Sequence, residues 1–209
     1  MRLAAFALLA AGACAQNVDL SGVWMVDGSP NISAEPAYQP WAQKLYAERK
    51  ANPNDDPEKY CLPDGVTRVT ALPYKIVQTP KLVVVLSEGN THSFRRFFLD
   101  GRAHPKDEDP SWTGHSTGRW EGGTLVVETV NFNDRTWLDG TGKPHSDAMR
   151  IVERYRRPSR ERLEVDYMIE DSKALTKPFT FRRVFALTNR EIREAFCTDT
   201  NHLVKEPRP

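Results

Sequence analysis

The pair Gly122-Gly123, set between the strand-like runs Ser116 to Trp120 and Leu125 to Val130, constrains this chain more than any other feature. Two glycines between such runs specify a tight β-hairpin, because both can take the positive φ that the short turn requires. A two-residue turn fixes register. Trp120 should face Leu125, Gly118 face Val127 and Ser116 face Thr129 on one side of the sheet. On the other, Arg119 should face Val126, Thr117 face Glu128 and His115 face Val130. The first side is apolar near the turn and is expected to face the core; the second reads as a solvated surface.

The hairpin has a topological consequence. The loop that enters it (Arg102 to Gly114) and the loop that leaves it (Asn131 to Ser146) must meet at the end opposite the turn. Together with His115 they hold His104, Asp107, Asp109, Trp112, Asn131, Asn133, Asp134, Arg135, Trp137, Asp139 and His145. Loops of about 13 to 16 residues are long for a compact domain and often carry function. This end of the sheet is the candidate site.

Around the hairpin the chain reads as strand after strand: Asp19 to Val26, Tyr74 to Gln78, Leu82 to Leu86, Phe94 to Leu99, Met149 to Arg156, Leu163 to Ile169 and Phe179 to Leu187. That makes roughly nine, all short, rich in β-branched and aromatic residues and without alternating helices. The pattern predicts an all-β fold, an antiparallel meander closed into a barrel or sandwich. One short amphipathic helix is expected at Pro40 to Lys50, with Trp41, Leu45 and either Ala42 or Glu48 on its apolar face. Gly22-x-Trp24 resembles the opening strand of lipocalin-like (calycin) barrels. That resemblance implies a Trp closing the barrel floor under an Arg from a late strand. Period-2 reading places Phe94, Arg96 and Phe98 on one face, Ile151, Glu153 and Tyr155 on another, and Phe181, Arg183 and Phe185 on a third. Arg96, Glu153 and Arg183 are therefore expected to point inward. Buried charges need partners, so either Glu153 pairs with Arg183, or Arg183 stacks on Trp24, or these groups line a ligand cavity.

The ends of the chain bear on its compartment. Arg2, the apolar run Leu3 to Ala11 and Ala13-Cys14-Ala15 read as a secretory signal peptide over residues 1–15, leaving a single domain at 16–197 and an irregular tail at 198–209. Lipidation at Cys14 is the competing reading of the same segment. The run is too short for a membrane span. Either way a periplasmic or secreted protein is expected, and in an oxidising compartment Cys61 and Cys197 form a disulfide. Removing residues 1–15 takes away Arg2 alone among the charges, so the net charge falls from +1 to zero. The charges are interspersed, with no basic stripe suited to nucleic acid and no polybasic tail for a membrane surface. The acidic run at Asn52 to Tyr60 lacks the ligand spacing of a calcium loop.

Three chemistries are open at the converging loops. His104, His115 and His145 could hold a transition metal with Asp134 or Asp139, as in a metal-dependent hydrolase or lyase, although none has metal-motif spacing. A cofactor-free enzyme could use a histidine as acid or base, oriented by Asp134 or Asp147, with Arg102 or Arg135 holding an anionic oxygen. A binding protein could stack a sugar-like or aromatic ligand on Trp112 and Trp137, with Asn133, Asp147, Arg96 and Glu153 meeting its polar edges. An envelope protein with no small ligand is a further alternative. Serine-hydrolase, nucleotide-binding and zincin signatures are absent from the sequence.

The strings DGRAHP, GHSTGRWEGGTLVV, NDRTW and PHSD resemble a large uncharacterised group of secreted proteins from soil bacteria, over most of the span from Cys61 to Cys197. The resemblance implies export but no particular activity. It marks Asp100, Arg102, His104, His115, Trp120, Glu121, Asn133, Asp134, Thr136, Trp137, His145, Ser146 and Asp147 as motif positions. Gly123 stands where the group usually has Asp.

Overall fold

The computed structural model describes residues 17–89, 93–194 and 197. The expected signal peptide and C-terminal tail lie outside them. Nine strands form one closed barrel in which every strand lies beside its neighbours in sequence. They are β1 (Gly22–Val26), β2 (Tyr74–Gln78), β3 (Leu82–Ser87), β4 (Phe94–Phe98), β5 (His115–Glu121), β6 (Thr124–Val130), β7 (Met149–Ser159), β8 (Arg162–Asp171) and β9 (Phe179–Thr188). The hairpin β5–β6 turns at Gly122-Gly123 in the expected register, from Glu121↔Thr124 to His115↔Val130.

The expected meander is wrong at one joint, where β4 and β5 run parallel. Parity explains it: strands cannot alternate direction all the way round a closed ring when their number is odd. A parallel joint also requires a long crossover, which residues 99–114 supply. Part of that loop's length is therefore a demand of topology. The joint is short, with Phe97↔Ser116 and Phe98↔Thr117 its only register pairs. The first residues of β4 consequently have no strand beside them on that side.

Trp24, Tyr74, Val85, Phe97, Leu125, Val127, Ile151, Tyr155, Val165 and Phe185 are buried and fill the lumen. One end is capped by residues 63–71. There Val66 and Val69 are buried, Thr67 Oγ1 donates to Leu138 O at 2.5 Å, and the Arg183 guanidinium donates to the carbonyls of Thr67 and Pro30. At the other end the Trp24 indole donates to Leu20 O at 3.0 Å. Arg157, from β7, lies 5.0 Å above its ring. The Arg over Trp24 is thus Arg157, and not Arg183.

Glu153 and Arg183 do point inward, but they do not pair. Glu153 accepts from both terminal nitrogens of Arg95, one at 2.9 Å, and from Tyr155 Oη at 2.9 Å. The inward arginine of β4 is therefore Arg95, with Phe97, while Phe94 and Arg96 face outward. The sequence reading of this strand was one residue out of phase. Aromatic residues on both faces (Phe94 and Phe98 outside, Phe97 inside) blur its period. The outer wall of β5–β9 carries cross-strand ion pairs: Arg150 with Glu128 and Glu170, Arg154 with Glu121, and Arg182 with Asp166.

Helix α1 (Pro40–Ala51) buries Ala42 and Tyr46, leaving Trp41 exposed. Ala42 lies on the inner face as one of the expected alternatives, but Tyr46 takes the place expected of Trp41 and Leu45 because it packs on Tyr38 and on the Lys143 ammonium. Cys61 and Cys197 form the expected disulfide, with Cα atoms 5.5 Å apart. Among the described residues, no helix is long and apolar enough to cross a membrane.

Candidate functional site

The two long loops meet as the hairpin requires. Ser111 N donates to Asn131 O at 3.1 Å, and Asn133 N donates to Ser111 O at 2.9 Å. Asn131, in the left-handed conformation at φ 64°, reaches back to donate to the carbonyls of Glu108 and Asp109. Gly114 also has a positive φ, and a Cβ there would lie 2.6 Å from Val130 O. No side chain can occupy that position without displacing the junction.

Because residues 99–114 must return along the barrel wall to reach the start of β5, they carry His104 onto the outward side chains of that strand. His104 Nδ1 and His115 Nδ1 share a hydrogen bond of 2.8 Å. His104 Nε2 lies 3.2 Å from Thr117 Oγ1 and 3.9 Å from Glu128 Oε1. Phe98 stacks on His115 with ring centroids 5.2 Å apart, and the Arg102 guanidinium sits 3.9 Å over the opposite partner of that stack, Phe98. Burial, then the neighbouring His104, Arg102 and Arg96, pulls His115 below the ordinary histidine value, against Glu108. The hydrogen bond from Arg150 holds the Glu128 carboxyl below its usual range. The result is an imidazole held toward its neutral form and hydrogen-bonded to a second imidazole, whose far nitrogen has Thr117 Oγ1 at 3.2 Å and the Glu128 carboxylate beyond it at 3.9 Å.

The pair lies beside the short parallel seam. A cleft of about 350 Å³ opens there, bordered by Phe94, Arg96, Phe98, Trp112, His115 and Ser116. A second hollow, also about 350 Å³, shares Arg96, Phe98, Glu108 and His115 and extends to Arg102 and Pro105. The cleft exists because β5 begins opposite Arg96, leaving the flank of Phe94 and Arg95 to loop residues alone. No protein family, curated protein or solved structure matches the chain. The geometry therefore carries the functional reading.

Several expected site residues lie elsewhere. His145 is buried away from the pair. Its Nδ1–H donates to Ser146 O at 3.0 Å, and its Nε2 accepts from Thr136 Oγ1 at 2.7 Å. With both nitrogens engaged, the three-histidine metal reading loses its third ligand. Among the described residues no group of three His, Cys, Asp or Glu side chains is arranged around a metal position. Asp134 is exposed and bonds to none of the histidines. Asp147 pairs with Lys173 at 2.6 Å, and Asp139 is committed to Lys143 and to the Ile32 amide. Trp137 is buried beneath Arg49 and anchors the loop. Glu153 is sealed in the core and reaches the cleft only through Arg95. Asn133 braces the loop by accepting from Arg135 N at 3.1 Å, and Arg135 lies 5.9 Å over Trp112.

The sequence reading missed Glu128, Thr117 and Phe98. The first two were legible as a cross-strand pair on the same face as His115. From sequence that face reads as solvent-facing, because nothing there shows that the returning loop covers it.

Proposed function

We propose that this chain is an exported, lipocalin-like barrel of the secreted soil-bacterial group it resembles. In this reading it holds a small polar or aromatic molecule in the seam cleft and acts on it by histidine acid/base chemistry. The disulfide supports the export, since such bonds persist in oxidising compartments. Arg157 over Trp24 supports the barrel type. The observation that carries the chemistry is the 2.8 Å contact between His104 and His115.

A direct Nδ1···Nδ1 bond needs one donor and one acceptor. Thr117 Oγ1, 3.2 Å from His104 Nε2, can accept a hydrogen bond from that nitrogen, and the Glu128 carboxylate 3.9 Å away favours the proton there. The His104 Nδ1 lone pair then accepts from His115 Nδ1–H, and His115 Nε2 is left as a lone pair beside the cleft. It is a general base with an orienting partner, the arrangement that acid/base catalysis requires. When His115 takes a proton from a bound molecule, the charge is shared with His104 and balanced by Glu128. The nearby Arg96 and Arg102 favour handing the proton on. No cofactor is needed for this step.

The test is turnover of 4-nitrophenyl esters and glycosides by the full chain and by His115→Ala. A fall of about 10²- to 10⁴-fold in the variant supports the acid/base role. Equal turnover by both proteins overturns it.

A further inference from the structure

Arginines on the barrel wall are mostly matched by carboxylates: Arg119 and Arg154 by Glu121, Arg150 by Glu128 and Glu170, Arg156 and Arg182 by Asp166. Arg96 departs from this pattern. It is exposed, and among the described residues it makes no ion pair or side-chain hydrogen bond. It instead lies between two aromatic faces, 5.8 Å from the Phe94 centroid and 5.5 Å from that of Phe98. Arg135 is likewise without a carboxylate, over Trp112. Arg96 and Trp112 border the seam cleft, and Phe94, which also borders it, is 52% exposed. An exposed guanidinium resting on aromatic rings keeps its hydrogen-bonding edge available, and arginine matches a carboxylate in a planar, two-point manner. Aromatic walls accept a flat ring.

The geometry points to a planar aromatic acid as the ligand of this cleft, its ring packed between Phe94 and Trp112 and its carboxylate held by Arg96. This inference rests on the seam cleft being the binding site and adds its ligand class. A ring hydroxyl on such a ligand would lie on the His115 and Glu108 side, where the proposed base could take its proton. Glu108, also at the rim, disfavours a second negative charge there. One carboxylate per ligand is therefore the expected limit.

The experiment follows tryptophan fluorescence and amide shifts of the full chain during titration with 4-hydroxybenzoate, its neutral methyl ester and neutral phenyl β-glucoside. The acid should bind at least about tenfold more tightly than the ester, the scale of one charged hydrogen-bonding partner. Arg96→Ala should remove that preference and leave affinity for the ester unchanged, with Arg96→Lys recovering part of it. Because Arg96 is exposed and makes no ion pair among the described residues, these variants should keep the parent circular-dichroism spectrum. If acid and ester bind equally, or Arg96→Ala weakens both alike, the carboxylate assignment is overturned while the cleft stands as a binding site. If none of the probes shifts residues around Trp112, the cleft reading falls as well.

Discussion

Replacing Glu153 with Leu should be among the most damaging single changes in the barrel. The carboxylate and the Arg95 guanidinium are almost wholly inaccessible. Glu153 accepts two bonds from Arg95 and one from Tyr155, while among the described residues Arg95 has only Thr129 Oγ1, at 3.2 Å, as its other polar partner. Removing Glu153 leaves a buried cation with one neutral hydrogen bond, and breaking such a pair costs about 3–5 kcal/mol. For a chain of this size that is a loss of roughly 6–20 °C in Tm. The double variant Arg95→Met/Glu153→Leu removes both charges and keeps similar volume, so most of the loss should be recovered. Urea unfolding with the disulfide intact measures all four corners of the cycle. A cost under about 1 kcal/mol for Glu153→Leu, or a double variant no better than the single, would refute the account of the core.

Gly114→Ala should destabilise the loop junction by about 1–3 kcal/mol, since φ is +69° and the new methyl meets Val130 O; amide exchange at residues 111–114 and 131–133 reads it. Opening the Cys61–Cys197 bond, which spans 136 residues, should cost roughly 4–5 kcal/mol by the chain-entropy model, seen as a lower urea midpoint after reduction. Burial holds His145 below the ordinary histidine value, against the Ser146 carbonyl and Asp171. The unfolded chain therefore takes up a proton that the native state refuses. This contribution is fully present above about pH 6.5 and is lost as the pH falls below it toward the native value. In His145→Gln that acid-side slope in unfolding free energy should flatten.

Much of this was readable from residues alone, and the failures have physical causes. Gly122-Gly123 and the runs beside it specified register because a two-residue turn allows only one. The strand count reached nine, and nine strands in a ring already require a parallel joint, a step of parity the meander reading left out. β4 misled because phenylalanines occupy both of its faces, so period could not tell the lumen from the outer wall. His104 and His115 were brought together by hairpin topology. Their separation from His145 was not legible, since it depends on how residues 131–146 fold over the cap at 63–71. Nor did the sequence show that the shared site lies on the barrel wall, because that follows from the path of the loop returning to β5.

The most direct measurement of the central claim is the ¹⁵N shift of the imidazole nitrogens of His104 and His115 through a pH titration of the full chain. The account predicts that His115 is neutral at pH 7, protonated at Nδ1 with a free Nε2, and that it titrates below the ordinary histidine value until Glu128→Gln or His104→Ala alters it. A His115 that carries its proton on Nε2 and titrates as an isolated solvent-exposed imidazole, indifferent to both substitutions, would contradict it.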